Sequence, residues 1–238
     1  GACPGGGGGN PAWRAPVTAV PLAILGAGGH AKVVIDIVER MGVYRIAGVF
    51  DDDPAKWGTQ VLGYEVLGGS DEFLLHWRSR CPKVVIGIGS NRVRQKLYRR
   101  LSEGAFLVTT AIHPTAAVAR DVEMGEGTVV MAQVAVNPGC RIGPCAVLNT
   151  SASVDHDCVL GECVFIAPGA RLCGNVRVGD LSFIGTGASI IPGRTIGRNV
   201  TVGAGTVVIT DIPDDVTVVG MRARVVTPAG RTPGGEKR

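Results

Sequence analysis

Proton-transfer chemistry has few candidate carriers in this chain, because it holds four histidines: His30, His76, His113 and His156. His156 stands in the segment NTSASVDHDCVLG (149–161), with Asp155 before it and Asp157 after it. An imidazole titrates near neutral pH, so it can take a proton from an attacking nucleophile. A carboxylate bound to its other ring nitrogen fixes the tautomer and raises the basicity. Either acid could do this. Two residues past the aliphatic Val154, His156 is expected at an outward position between the two acids. His76 falls in the helical pattern DEFLLHW and His113 at the start of a repeat, so both read as structural.

A second group of residues is suited to binding. Gly26, Gly28 and Ala31 in LAILGAGGHAKVVIDIVERMG (22–42) spell GxGxxA between an apolar run and an amphipathic one. Such a strand–turn–helix offers backbone N–H groups and a helix N-terminus to phosphate. VFDDDP (49–54) ends a second strand with Asp51 and Asp52, where a ribose-reading acid would stand in a dinucleotide fold. VVIGIGSN (84–91) forms a third strand and leads into a basic helix carrying Arg92, Arg94, Lys96, Arg99 and Arg100. That run reads as a solvated face, and no aromatics are interleaved with it to stack on bases. Three strands alternating with helices predict a small doubly wound parallel sheet with ligand groups at the strand ends. NAD is one candidate for the loop. The shortness of the unit argues against it.

The scaffold behind His156 announces itself as a repeat. From Ile112 an aliphatic residue recurs every six positions through Val118, Met124, Val130 and onward to Val208, seventeen times without a slip. Six residues make one short strand and a corner, and three such units close a triangular coil. A second period supports the triangle: Gly125, Gly143, Gly161, Gly179 and Gly197 follow every third hexad, which suggests a corner needing glycine's backbone freedom. Residues 18 apart then lie above one another, Cys140 on Cys158 and Cys145 on Cys163, as small core fillers. Pro138 and Gly174 flank His156 in this stacking, which leaves a slot where a carbonyl could approach.

Composition narrows the setting. Aromatics are 5% of residues while glycines number 36, which favours many short strands over a helical bundle. A net charge of +4 gives no footprint for nucleic acid. No apolar run approaches the ~18 residues that span a bilayer. Seven cysteines without zinc-type pairing suggest reduced thiols, no metal and a cytoplasmic setting. Four segments are expected: a flexible leader (1–19), an α/β domain (20–110), a β-helix (111–213), and a cap with a loose tail (214–238).

The order GxGGH, VFDDD, IGxGxN and then hexads resembles the hexapeptide-repeat sugar O-/N-acyltransferases, closest to the nucleotide-4-amino-sugar N-acetyltransferases and sialic acid O-acetyltransferases. The resemblance covers about residues 20–226. It implies a Rossmann-like α/β domain followed by a left-handed parallel β-helix, a homotrimer, acetyl-CoA as co-substrate, and no NAD. The implied reaction is acetyl transfer to the amine of a nucleotide-linked sugar, UDP-linked by preference, with His156 as general base. O-acetylation or a non-catalytic scaffold are the alternatives. The Gly28–Gly29–His30 turn would face the diphosphate, Asp51 and Asp52 the uridine, and Gly89, Asn91 and Arg94 the far side. The family pattern N-T-S-x-x-x-E-H-E makes Asp157 the partner of His156, one methylene shorter than Glu. It also brings Asn149 near the active-site groove and the Gly174 N–H to an oxyanion. A cap of the form V-G-x-P-A-K/R appears as Val219–Gly220–Met221–Arg222–Ala223–Arg224, with Arg222 in place of proline and Arg224 expected at the CoA.

Overall fold

A computed structural model describes residues 19–220 and the backbone of 224–228. The leader before residue 19, the segment 221–223, the side chain of Arg224 and the tail after 228 lie outside the described residues.

The amino-terminal module is built from β1 (Val20–Leu25), α1 (Gly29–Met41), β2 (Tyr44–Phe50), the hairpin β3 (Gln60–Val61) and β4 (Tyr64–Glu65), α2 (Ser70–His76), β5 (Lys83–Ile86), α3 (Asn91–Glu103) and β6 (Leu107–Val108). Its sheet is parallel, in the order β2-β1-β5-β6. It therefore has one strand more than the sequence reading, because the two-residue β6 carries no periodic signal. The i, i+3, i+4 spacing of Ala31, Val34, Ile35 and Val38 gives α1 a fully buried face. Gly42 closes it at φ 69°. Gly26 ends β1 at φ +114°, where a Cβ would lie 2.6 Å from the Gly87 carbonyl oxygen.

From Ala111 onward the chain winds into about six turns of a parallel β-solenoid. Each hexad aliphatic is the second residue of a two-residue strand and points into the core. Strands pair 18 residues apart, as in Val129↔Val147, Ser153↔Arg171 and Val159↔Arg177. This gives three faces. The first face holds Ala111–Ile112, Val129–Val130, Val147–Leu148, Phe165–Ile166, Phe183–Ile184 and Thr201–Val202; Ser153–Val154 belongs to the second and Val159–Leu160 to the third. Val216–Val219 pairs in parallel with Thr201–Val202, so the first face continues past the expected boundary at 213.

The glycine corner has a different cause from the one its pattern suggested. Gly143 and Gly179 are not in the left-handed region; a Cβ there would sit 2.5 Å from the Gly161 carbonyl carbon and 2.6 Å from the Arg198 nitrogen. The left-handed positions fall elsewhere at the corners and are often not glycine: Gln133 (φ 60°), Cys145 (53°), Asp157 (59°) and Asn175 (60°). Close approach of successive coils, not backbone freedom, selects those glycines.

The module docks on the first face. The outward residues Ala111, Val129, Val147 and Phe165 are buried with Ile24, Val34 and Ile35 in one cluster. Helix α3 lies along the corner between the third and first faces, where Leu101 and Phe106 pack with Cys145 and Cys163.

Candidate active site

His156 sits in the turn between Ser153–Val154 and Val159–Leu160, at the corner between the second and third faces. It is not on a strand, so the directions of Asp155 and Asp157 are set by the fold of the corner. Asp157 takes the left-handed conformation at φ 59°, which Asp tolerates better than most residues. This bend brings its Oδ2 to 2.8 Å from His156 Nδ1. Asp155 is engaged otherwise. Its Oδ1 accepts from Asn137 Nδ2 at 2.7 Å and from the His156 backbone N–H at 2.9 Å, which holds its carboxyl below the ordinary value. The Asp157 hydrogen bond, with a smaller contribution from the charge of Asp155, raises the His156 pKa above the ordinary 6.5. Both members of the pair are well exposed, at 55% and 59%.

The slot expected above His156 is filled by the imidazole itself. A Cβ at Gly174 would lie 2.5 Å from His156 Cε1 and Nε2. The ring therefore lies against the next coil, and a side chain at 174 would displace it. The Gly174 N–H donates to no group among the described residues. Beyond it the same corner turns apolar, with Ile191 and Ile209 exposed by 37% and 43%. Asn149 lies on a different corner, between the first and second faces, and its Oδ1 accepts from the Thr150 N–H at 2.8 Å. Asn149 and His156 therefore do not meet within one chain.

The second part of the site is a cavity of about 360 Å³ at the carboxyl ends of β1, β2 and β5, lined by Gly28, Gly29, His30, Asp51, Asp52 and Gly89 among others. A Cβ at Gly28 or Gly29 would meet nothing within 4 Å, so the N-terminus of α1 opens into it. Asp51 shapes this wall. Its Oδ2 accepts from the Ala27 N–H at 2.7 Å and its Oδ1 from the Asp53 N–H at 3.0 Å, while Lys56 Nζ pairs with both oxygens. Burial pushes the Asp51 carboxyl up, but these donors outweigh it and leave it below the ordinary value. Asp52 Oδ1 accepts from Ser70 N–H at 2.7 Å, at the start of α2. Burial, with the charge of Arg94, pushes the His30 imidazole down to about 4. Its buried Nε2 has no partner among the described residues.

Two expected lining residues are not at this cavity. Arg94 is 0% exposed and gives its donors to backbone carbonyls and to Asn91. Asn91 donates to the carbonyls of Leu181 and Ser182. Lys56, Ser70 and Val93 line the cavity without having been singled out by the sequence reading. Lys56 alone had a local signal, three residues after Asp53 in DDDPAKW. Among the described residues there is no metal-binding cluster of His, Cys, Asp and Glu, and no helix long and apolar enough to cross a membrane.

Residues 21–101 match the family described as PglD N-terminal domain. UDP-N-acetylbacillosamine N-acetyltransferase of Bacillus subtilis is 39% identical over 113 residues, which span 47% of this chain and 51% of that relative. Perosamine N-acetyltransferase of Caulobacter crescentus, solved as a His-to-Asn variant with CoA and GDP-perosamine, is 42% identical at a TM-score of 0.83 over 87% of this chain and 97% of that one. The acetyltransferase domain of PglB from Neisseria gonorrhoeae is 38% identical at a TM-score of 0.80, over 87% of this chain and 99% of that domain. It has also been solved with acetyl coenzyme A. With an α/β module docked on a left-handed β-helix and this degree of likeness over nearly the whole length of solved relatives, the chain belongs to the nucleotide-amino-sugar N-acetyltransferases of the hexapeptide-repeat family.

Proposed function

We propose that this protein transfers an acetyl group from acetyl-CoA to the amine of a nucleotide-linked amino sugar, with His156 as general base. The observation that carries the reading is the His156–Asp157 pair at 2.8 Å, exposed on a coil corner. His156 Nε2 accepts the proton as the amine attacks the thioester carbonyl. The Gly174 N–H, on the coil against which the ring packs, receives the developing oxyanion in this reading. Collapse expels the CoA thiolate, to which the imidazolium returns its proton. Asp157 keeps Nδ1 protonated, so that Nε2 is free to accept before the attack and carries the proton only until the thiolate takes it. From His156 to Ile209 is three coil spacings, or ~14 Å at the usual strand separation. That apolar lane suits the pantetheine arm of CoA.

Asp157 and Asp155 separate in a mutational test. Asp157→Asn is expected to lower kcat about tenfold, or ~1.4 kcal/mol, because the amide no longer selects the tautomer. Asp155→Asn leaves the ring's partner intact and should change kcat by less than about threefold. The pH profile adds a sign. A raised imidazole pKa puts the acid limb of kcat/KM above 6.5 in the native protein, and Asp157→Asn should move it down toward that value. An unmoved limb, or a larger loss in Asp155→Asn, would contradict the assignment.

The cavity and His156 lie on opposite sides of the prism. The module covers the first face, and the corner of His156 is the one that does not border it. A sugar held by one module must therefore meet the histidine of a second copy, which supports a homotrimer with shared sites. Gly29→Glu would set a carboxylate where the diphosphate binds, at an open position. Unfolding and refolding it together with His156→Ala, each inactive alone, should restore up to about a quarter of native activity. Sites confined to one chain would give none.

A further inference from the structure

Among the described residues Arg94 is the only fully buried charged side chain, and it has no carboxylate partner there. A guanidinium carries five N–H donors. Here all five are used: Nε on the Cys145 carbonyl at 2.8 Å, Nη1 on those of Ile88 (3.1 Å) and Gly89 (3.0 Å), and Nη2 on Asn91 Oδ1 and the Cys163 carbonyl, both at 2.9 Å. None remains for a phosphate or a base, and the side chain does not reach the cavity. Its acceptors come from two places that must keep a fixed relation. Ile88 and Gly89 are cavity wall, whereas Cys145 and Cys163 are stacked corners of the prism.

The neighbours of Arg94 extend the same joint along α3. Arg92 Nη2 donates to Asn199 Oδ1 at 2.8 Å, Asn91 to Leu181 and Ser182, Gln95 Nε2 to Glu162 Oε1 at 2.7 Å, and Tyr98 OH to Glu126 Oε1 at 2.9 Å. The helix thus touches successive coils down one corner. Its pitch of ~5.4 Å is close to the coil spacing of ~4.8 Å, so one helical turn meets one coil. Every contact but that of Arg94 is half-exposed or exposed. Arg94 is the pin of this joint.

We infer that Arg94 is a positioning residue for the transfer: by tying the Ile88–Gly89 wall to the corners at Cys145 and Cys163, it sets where the bound sugar stands relative to the prism without touching it. The inference rests on the acetyl transfer proposed above. A positional error of ~1 Å costs on the order of 100-fold in rate. Arg94→Lys, which keeps the charge but has three donors and no fork, is expected to lower kcat by 30- to 100-fold, on that ~1 Å scale. KM for acetyl-CoA should stay within about twofold, since CoA binds the opposite corner. Restoring the joint elsewhere should rescue the rate. In the Arg94→Lys background, Gln95→Cys and Glu162→Cys bridged by a short bis-maleimide should recover kcat to within about threefold of native.

Arg94→Lys with near-native kcat overturns the inference, as does a loss that the bridge does not recover. If Arg94→Lys does not fold, Asn91→Ala, which removes one acceptor and two bonds to the next coil, should lower kcat about tenfold with acetyl-CoA KM unchanged. Native protein that transfers no acetyl group would fail the functional reading instead. Amide exchange still tests the joint in that case. Peptides covering residues 86–97 should exchange at least ~10-fold faster in Arg94→Lys with the second and third faces unchanged; unaltered exchange at 86–97 overturns the inference.

Discussion

His156→Ala should lower kcat by ~100-fold or more, the scale of a lost general base, in a protein that stays folded. The ring is half-exposed and contributes nothing to the prism core, so its removal leaves no cavity there. An amine held next to a thioester still reacts slowly once it is neutral, so residual turnover should rise with pH across the range where the ammonium loses its proton. Acetyl-CoA and sugar-nucleotide binding should change little, because the imidazole is outside the cavity and only at the end of the apolar lane. Steady-state kinetics at saturating substrates, with far-UV circular dichroism as the folding control, check the expectation. A variant retaining most of its kcat would remove His156 from the mechanism and leave a water-relayed or substrate-borne base.

Gly174→Ala should be nearly as damaging, for a reason that involves no chemistry at residue 174. The added methyl would lie 2.5 Å from two ring atoms of His156. Such an overlap with backbone would threaten the fold. Here the obstacle is the end of a side chain on an exposed corner, and it can swing away. Folding should therefore survive, with a change in Tm of a few degrees, while the imidazole is driven off the coil and away from the Gly174 N–H. Loss of a 1 Å placement costs on the order of 100-fold, and acetyl-CoA KM should rise as well because the methyl intrudes on its lane. A Gly174→Ala protein with native kcat would mean that the ring does not work from the position it occupies in this structure.

Much of the architecture was written in spacing. Inward aliphatics at every sixth residue fix the coil, and the second residue of each two-residue strand is the hexad residue in all seventeen cases. The period does not say how a corner is folded. A residue two places past an inward aliphatic could lie on a strand or in a turn, and this ambiguity left the aspartates beside His156 unplaced. It also hid why the glycines recur, since close approach and positive φ select the same residue type. The docking face was legible in a finer period that the sequence reading passed over. The residues before the first-face aliphatics are Ala111, Val129, Val147, Phe165 and Phe183, whereas the third face shows Glu123, Arg141, Val159, Arg177 and Thr195. An apolar outward residue every eighteenth position marks a covered face. Arg94 was beyond reach. Among Arg92, Lys96, Arg99 and Arg100 on one helix, nothing in residue type distinguishes the buried arginine from the solvated ones. The motif that carries Asn149 does not say on which corner it stands, and seven residues before His156 is one corner away on a triangular coil.

Product analysis identifies both the transferred group and the atom that accepts it. Purified protein is incubated with acetyl-CoA and, separately, with UDP-, dTDP- and GDP-linked 4-amino sugars and their 4-hydroxy counterparts, and the products are weighed by mass spectrometry before and after hydroxylamine. At least one amino sugar is expected to gain a single acetyl group that resists hydroxylamine, with one free CoA thiol released per acetyl, and His156→Ala is expected to form it far more slowly. An acetyl group that hydroxylamine removes, or no gain in mass on any amino sugar while CoA is bound, would contradict acetyl transfer to the amine.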